Sequence, residues 1–445
     1  MIGSYITYFV SAINNIPPRI TNAQNNSVLT PRDILSESSS YAGPVKTGIP
    51  AVKKTIELNI HSITHRTAGF VGVSKTCALL SIPIMSGIIS YKLSLYFMAL
   101  SRTFGIDHHK RSKEKIPESI GLSSAISFVL CIFILSSFFP SHKESLLIFS
   151  NTIILNTLMG YVDDTVDLSW SCKLLFPIIA TFPLIITYSG STSMVVPFYG
   201  VYNLGNIFYA LLILLGIYFT NAINILSGIN GVECGQILVI SSMMCVDRCA
   251  FPDDKSTLSA LLCLSLFTSS YGLFMWNKYP SKCFVGDVFC YFSGSALLCI
   301  GLFGGFMKTL FLFLIPQLFN FVLSTPQMFK ILPCPRHRMP SVKHLDGPES
   351  ITVLVPSTMQ CKKTYIATGY LRRAIVRVYK FFNLISYTEN EETIEISNFT
   401  ILNVILVWCG PMQEKTLFFI YSAIQAAVCT FVILIKLYFA PNESE

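Results

Sequence analysis

Apolar runs of membrane-spanning length recur along this chain, and nothing else in the sequence constrains its fold as strongly. A helix needs about 20 apolar residues to cross the hydrocarbon core, because lipid offers backbone N–H and C=O groups no partners. About ten stretches approach that length, at roughly 76–97, 120–140, 144–162, 174–190, 206–223, 231–247, 257–276, 286–305, 307–327 and 416–437. The sixth is the weakest, because Gln236 and two serines interrupt it. Only 13% of the residues are charged and 52% are hydrophobic, where a soluble domain carries about a quarter charged. The mean hydropathy of +0.57 agrees. The 34 phenylalanines suit a wide apolar perimeter better than a single core. The expected fold is therefore an all-α polytopic membrane protein of about ten transmembrane helices.

Lys and Arg set the expected orientation. The loop after the first span carries Arg102, Lys110, Arg111, Lys113 and Lys115, and the loop after the ninth is richer still; the stretch 191–205 has no Lys or Arg. By the positive-inside rule the odd-numbered loops face the cytoplasm, and ten spans leave both termini on the far side. The net charge of +8 is then topogenic and not a nucleic-acid surface. The 14 cysteines are scattered, mostly inside apolar stretches, and read as small apolar residues. Four regions follow: a polar extension over 1–75, a bundle over 76–330, a cytoplasmic loop subdomain over 331–415, and a last helix and tail over 416–445. Alternation predicts short strands over Ile351–Val355 and Thr393–Ser397, and Tyr370–Phe382 reads as a basic amphipathic helix near the membrane surface. Sequons stand at Asn398 and Asn442; cytoplasmic placement leaves Asn398 bare.

Four polar clusters fall at span ends on the predicted cytoplasmic side. Gly160–Trp170 holds Asp163, Asp164 and Asp167, with Lys173 just beyond. Carboxylates this close repel unless a cation offsets them, and beside membrane segments they are costly and usually functional. Asn221, Asn224 and Asn230 lie in a second stretch with Gly228 and Gly231, offering neutral oxygens and amide donors or simply interhelical hydrogen bonds. Asp287 opens the eighth span beside Phe284, and taken alone it reads as a helix cap. Arg336, His337 and Arg338 stand between prolines, where the alternatives are phosphate binding and topogenic charge.

No P-loop, dinucleotide fingerprint, zinc motif or Ser/His/Asp pattern occurs. Carboxylate with Asn suits Mg²⁺, and Arg-His-Arg suits phosphate, so the clusters together point to phosphoryl transfer at a membrane surface. A transporter would instead place ionisable groups near the midplane on broken helices, often in repeated halves. A scaffold would need none of these clusters.

From about Thr76 onward the chain closely resembles the eukaryotic UDP-N-acetylglucosamine–dolichyl-phosphate N-acetylglucosaminephosphotransferases. The matching stretches are Gly105–Asp107 with Lys110, Ile116–Ser119, Gly160–Trp170 with Lys173, Thr220–Gln236, Phe284–Gly294, Pro316–Phe321 and Pro333–Pro340. The Arg-His-Arg motif, in place of the His-rich motif of bacterial cell-wall relatives, sets the chain on the N-acetylglucosamine branch. Residues 1–75 have no counterpart, and Ser169, Ser171 and Cys172 replace basic or imidazole residues.

The resemblance implies transfer of N-acetylglucosamine 1-phosphate from UDP-GlcNAc to dolichyl phosphate, at the cytoplasmic face of the endoplasmic reticulum membrane. It implies Mg²⁺, with Mn²⁺ a substitute, held by Asn224 and Asp287. Ile106, Asp107, His108, Glu118, Gly228, Asn230 and Phe284 are implied to line the uridine and ribose site. Arg336, His337 and Arg338 would hold the pyrophosphate and sugar. Lys173, Tyr218, Asn221 and Asn224 would meet the lipid phosphate. Asp163, Asp164 and Lys173 would be catalytic. The implied partners are both substrates and the bilayer; a homodimer stays open. A related transferase using another UDP-sugar is the alternative.

Overall fold

The computed structural model describes residues 76–107, 115–166, 168, 170–188, 190, 192–196, 200–335, 337–345 and 351–439. The polar extension, His108, Asp167, Arg336 and the sequon at Asn442 lie outside them.

Every predicted span contains helix. The helices are α1 (Thr76–Leu100), α2 (Leu122–Phe138), α3 (Lys143–Val166), α4 (Trp170–Ile186), α5 (Asn206–Ile225), α6 (Val232–Ala250), α7 (Ser256–Asn277), α8 (Gly286–Phe303), α9 (Met307–Phe313) and α10 (Ile315–Met328). After the loop subdomain the bundle resumes with the last helix, Glu414–Tyr438. Six of the described helices are long and apolar enough to cross a membrane, or seven if the bent α9–α10 pair is one span. The expectation of ten crossings is not established. Helices α2 and α4 have only 17 residues each, about 25 Å of rise against a core of about 30 Å. Prolines Pro177 and Pro183 also lie inside α4.

Helix α8 sits at the centre, packed against α3 and α5. Its window is 83% buried, against 28% for the last helix, which therefore faces outward. The outward faces carry Ile84, Leu95, Phe419, Phe431 and Leu434, all exposed, an apolar perimeter that water would not tolerate over so large an area. Close approach of α3 to α8 requires Gly160, where a Cβ would stand 2.6 Å from Val288 Cα. Serines join α1, α2 and α7. Ser90 and Ser124 hydroxyls both donate to the Ser269 carbonyl, at 2.6 and 2.8 Å, and Ser94 meets Ser123 at 2.7 Å. Small hydroxyl residues let helices approach in lipid and satisfy one another there.

The α9–α10 pair bends by 59° at Leu314, just before Pro316, and a proline there frees carbonyls. A buried amide network supplies the donors. Gln425 Nε2 donates to the Phe313 carbonyl at 2.7 Å, and Tyr218 Oη to the Leu314 carbonyl at 3.4 Å. Gln317 Nε2 meets Gln236 Oε1, Gln425 Oε1 and Tyr421 Oη at 2.8–3.1 Å. Gln236 Nε2 in turn reaches the Ile223 and Leu226 carbonyls at the end of α5. The glutamine that weakens the sixth span thus closes the end of α5 and, through Gln317, joins the network that closes α9.

The other end of α6 holds a charge cluster that the sequence reading passed over. Asp247 is fully buried, 2.6 Å from both Arg248 and Lys436 of the last helix. Arg248 also pairs with Asp253 at 3.1 Å and lies over the Phe306 ring.

The loop subdomain carries the expected elements. Strand β5 (Ser341–Leu345) pairs antiparallel with β6 (Ile351–Val355), and a second sheet has the order β7 (Thr358–Lys362), β9 (Thr393–Ser397), β8 (Tyr387–Glu389). Helices α11 (Lys363–Thr368), α12 (Tyr370–Phe381) and α13 (Ile401–Cys409) complete it, and the last helix becomes α14. Two further hairpins precede the subdomain. Strand β1 (Phe104–Ile106) pairs with β2 (Lys115–Pro117), and β3 (Ser193–Val196) with β4 (Gly200–Asn203); neither hairpin was expected. Asn398 is 1% exposed, accepts from Gln327 Nε2 and donates to Ser357 Oγ. A glycan on Asn398 would have no room in this packing.

Replacing Gln317 with Leu should strand Gln236 Oε1 in an apolar interior and take one donor from the Gln425–Tyr421 pair. The expected cost is about 1–3 kcal/mol, read as a lower unfolding temperature of the purified protein in detergent. An unchanged transition would show that the network does not hold the broken helix.

Candidate active site

The site grows from the turn that opens α8. Backbone bonds fasten that turn to the β1–β2 hairpin: Phe284 N–H donates to the Pro117 carbonyl at 2.8 Å, and Gly121 N–H to the Val285 carbonyl at 2.9 Å. The Phe284 ring lies directly on Gly105, where a Cβ would come within 2.8 Å of it. Asn277 Nδ2 and Ser281 Oγ both donate to the Cys283 carbonyl and fix the approach to the turn.

Between this turn, the hairpin and the loop after α5 lies a cavity of about 500 Å³. Ile106, Asp107, Glu118, Asn224, Gly228, Asn230, Phe284, Asp287 and His337 all line it. Residues distant in sequence and expected to share a site thus share one wall. Asn230 Nδ2 donates to Asp107 Oδ2 at 3.0 Å, joining the loop to the hairpin. Glu118 is buried enough that its carboxyl is pushed above the usual carboxylate range. Gly228 has φ of +116°, a left-handed turn that glycine tolerates.

The carboxylates at the end of α3 have separate contacts. Asp164 accepts the N–H groups of Asp287 and Val288, at 2.6 and 3.3 Å. It thereby takes the capping position at the start of α8. Gly286, with φ of +75°, lets it in; a Cβ there would collide with the Asp164 carboxylate. With its N-terminal amides occupied, α8 has no need of Asp287 as a cap, and that carboxylate faces the cavity. Asp163 instead meets Lys173 Nζ at 2.9 Å, and Lys173 is 3.6 Å from Asp287. Lys173 thus stands against the same carboxylate that forms the cavity wall.

Arg338 stands between His337 and Met339, both of which line the cavity. Its carbonyl accepts from Asn403 Nδ2 at 3.0 Å and Ser357 Oγ at 3.2 Å, so the loop subdomain fixes the segment. Burial pulls the guanidinium below its ordinary pKa, and its buried Nη1 has no hydrogen-bond partner among the described residues. Of the expected residues, Asp163, Asp164, Lys173 and Arg338 stand behind or beside the residues that line the cavity, and two more lie farther off it. Asn221 donates to the Ile217 carbonyl within its own helix, and the Tyr218 hydroxyl is engaged at Leu314.

Ser227, Glu233, Asn277 and Met339 also line the cavity, and the sequence reading missed them. Glu414, first residue of α14, was missed too: it accepts the Asn230 N–H at 2.6 Å and is 5% exposed. A carboxylate at the start of a span invites reading as a simple cap, so its sequence signal was weak.

Comparison with known proteins shows what the chain is similar to. The model of the family "Glycosyl transferase family 4" matches residues 146–305, which include the carboxylates of α3 and the start of α8. The UDP-N-acetylglucosamine–dolichyl-phosphate N-acetylglucosaminephosphotransferase of Schizosaccharomyces pombe is 32% identical over 421 residues, covering 81% of this chain and 93% of that protein. The Saccharomyces cerevisiae protein of the same name is 31% identical, covering 71% and 80%. The one from Dictyostelium discoideum is 32% identical, covering 60% and 78%. With its cavity, its paired carboxylates and this likeness along most of its length, the chain belongs to the family of UDP-N-acetylglucosamine–dolichyl-phosphate N-acetylglucosaminephosphotransferases.

Proposed function

We propose that this protein transfers N-acetylglucosamine 1-phosphate from UDP-GlcNAc to dolichyl phosphate, forming GlcNAc-diphosphodolichol and UMP. One observation carries the reading: the cavity wall at Asp287 is shared with Lys173, so a nucleotide site adjoins a cation that can receive a second phosphate. Phe284 offers the ring face for uracil, while Asp107, held by Asn230, and Glu118 take the ribose end. Arg338 brings an unpartnered guanidinium nitrogen for the pyrophosphate, with His337 beside it and Arg336 expected to join them. The reaction is the first committed step of N-glycan precursor synthesis. We place it at the cytoplasmic face of the endoplasmic reticulum membrane, with both termini lumenal.

Asp287 and Asn224 fit a Mg²⁺ ion. One carboxylate and one amide oxygen line the same cavity, and Asp287 is not spent on capping. Among the described residues no group of three or more His, Cys, Asp or Glu could cage a metal alone, which suits a hydrated ion completed by substrate phosphates. The cavity also needs a cation: Asp107, Glu118, Glu233 and Asp287 would repel a diphosphate. When bound, the ion would neutralise charge on the pyrophosphate.

The lipid phosphate oxygen attacks the β-phosphorus, and the bond from that phosphorus to the UMP oxygen breaks. Lys173 draws the attacking phosphate to the cavity edge, and Arg338 steadies the developing negative charge. A phosphate monoester is already anionic near neutral pH and needs no strong base. Asp163 serves by holding Lys173. Its side chain is 1% exposed, too enclosed for the direct nucleophile that a covalent aspartyl-phosphate route requires.

Three outcomes test this reading. Asp287→Ala should lose UMP release while remaining inserted and monodisperse; full turnover in the folded variant would remove the metal assignment. Arg338→Lys keeps the charge but loses the planar fork. Its kcat/KM for UDP-GlcNAc should fall by about 2–4 kcal/mol of transition-state stabilisation, roughly 30- to 1,000-fold. A fall of no more than about twofold would return Arg338 to a topogenic role. Labelled UMP should not exchange into UDP-GlcNAc without lipid; robust lipid-free exchange would establish the covalent route instead.

A further inference from the structure

Helix α12 is packed on one side only. Val376 is buried, and Ile375 and Tyr379 pack against the core of the loop subdomain. The Tyr379 hydroxyl donates to the Leu323 carbonyl of α10 at 3.3 Å, which ties α12 to a helix of the apolar bundle. Arg372 is committed inward as well, over the Tyr365 ring and onto the Ile331 carbonyl.

The other side is apolar and uncovered. Tyr370 and Phe381 are 83% and 82% exposed, Phe382 62%, Leu371 55% and Val378 48%. At 100° per residue these five fall within one arc of about 120°. Just past the helix, exposed Trp408 extends the patch, its Nε1 donating to the Asn383 carbonyl at 2.7 Å. Arg373 and Arg377 are exposed along the edge of the arc, and Lys380 lies beyond them over Tyr387. No acidic residue occurs in the helix. A solvated helix has no reason to present bulky apolar residues beside cations, whereas a helix lying in a membrane interface does.

We propose that α12 lies on the bilayer surface, its exposed apolar arc in the headgroup–acyl boundary and Arg373 and Arg377 against anionic phospholipid headgroups. Charge complementarity and the tie to α10 select this occupant. The docked helix would hold the loop subdomain, and with it His337 and Arg338, at a fixed height over the membrane. Each arginine should strengthen docking about fivefold when the leaflet is anionic.

The test uses the full chain in nanodiscs and does not depend on catalysis. Val378→Trp places a reporter at an exposed position. Its added emission over the parent is compared between brominated and ordinary phosphatidylcholine, with and without phosphatidylserine. Most of that emission should be quenched in discs containing phosphatidylserine. Adding Arg373→Gln and Arg377→Gln should cut the quenching severalfold there. Hydrogen exchange over 370–382 in the unmutated chain should likewise slow when phosphatidylserine is added. An unquenched reporter, or quenching unaffected by the arginine changes, would overturn the proposal. So would shielding that grows with protein concentration in lipid-free detergent, which would assign the face to a second copy of the chain.

Discussion

The Asp164 carboxylate at the head of α8 is the contact on which the site depends. It carries α3 against the first two peptide N–H groups beyond Gly286, and those groups would otherwise be orphaned in a dry interior. Three consequences follow from one pair of hydrogen bonds. The helix start is fixed, so Phe284 and Asp287 are fixed with it. Asp287 is released from capping and is left to face the cavity. The preceding residue, Asp163, is directed to Lys173 instead. Gly160 and Gly286 are the steric conditions for this arrangement, since a methyl group at either would separate α3 from α8.

A second constraint acts along the bundle axis. Helices α6 and α14 run parallel and are clipped at both ends, by Glu414 to the Asn230 amide near the cavity and by Lys436 to Asp247 at the far end. A buried ion pair gains little net stability over an apolar contact, because desolvation offsets its attraction. What it supplies is register: an apolar seam between two helices could slide, and a charge pair with one partner cannot. The register matters because the Asn230 loop, which reaches Asp107, ends where α6 begins.

Much of this was legible in the sequence because polar residues at membrane depth are expensive and therefore informative. Asp163, Asn224, Asp287 and the Arg-His-Arg segment stood out against apolar runs, and the period-two pattern of Ile351–Val355 and Thr393–Ser397 located both strands. The division of labour between Asp163 and Asp164 was not legible. Neighbours on a helix point about 100° apart, and which one meets Lys173 depends on how α3 is rotated against α8. Gln236 was read as a blemish in a span because its acceptors, the carbonyls of Ile223 and Leu226, are freed only once α5 ends in a turn. Asp247 and Arg248, at the end of the sixth span, drew no attention for the same kind of reason: Lys436, the partner of Asp247, is 189 positions away in the chain. The break at Leu314 has a proline signal, but its direction depends on the donors Gln425 and Tyr218, which no local pattern reveals.

The electrostatic layout narrows how such a site can work. Its acidic residues lie on and beside the β1–β2 hairpin, in the first turn of α6 and at the head of α8, while the nearest cation on α4, Lys173, meets the wall at Asp287. A diphosphate placed between them is drawn toward Lys173 and Arg338 and repelled by Glu118 and Glu233. The acidic wall is therefore better suited to an uncharged part of such a ligand than to its phosphates. On the proposed reaction, that polarity would draw the pyrophosphate away from the acidic wall, and the choice between nucleoside and sugar falls to contacts such as the Phe284 ring. Lys173, 3.6 Å from Asp287, would then be near enough to the diphosphate to bring a second anion. Two anions meeting this closely in a protein interior would repel strongly. On the proposed reaction, cations already fixed by Asp163, Asp287 and the Arg338 carbonyl contacts lower that repulsion before either substrate arrives, and proton transfer is left with little of the barrier to remove.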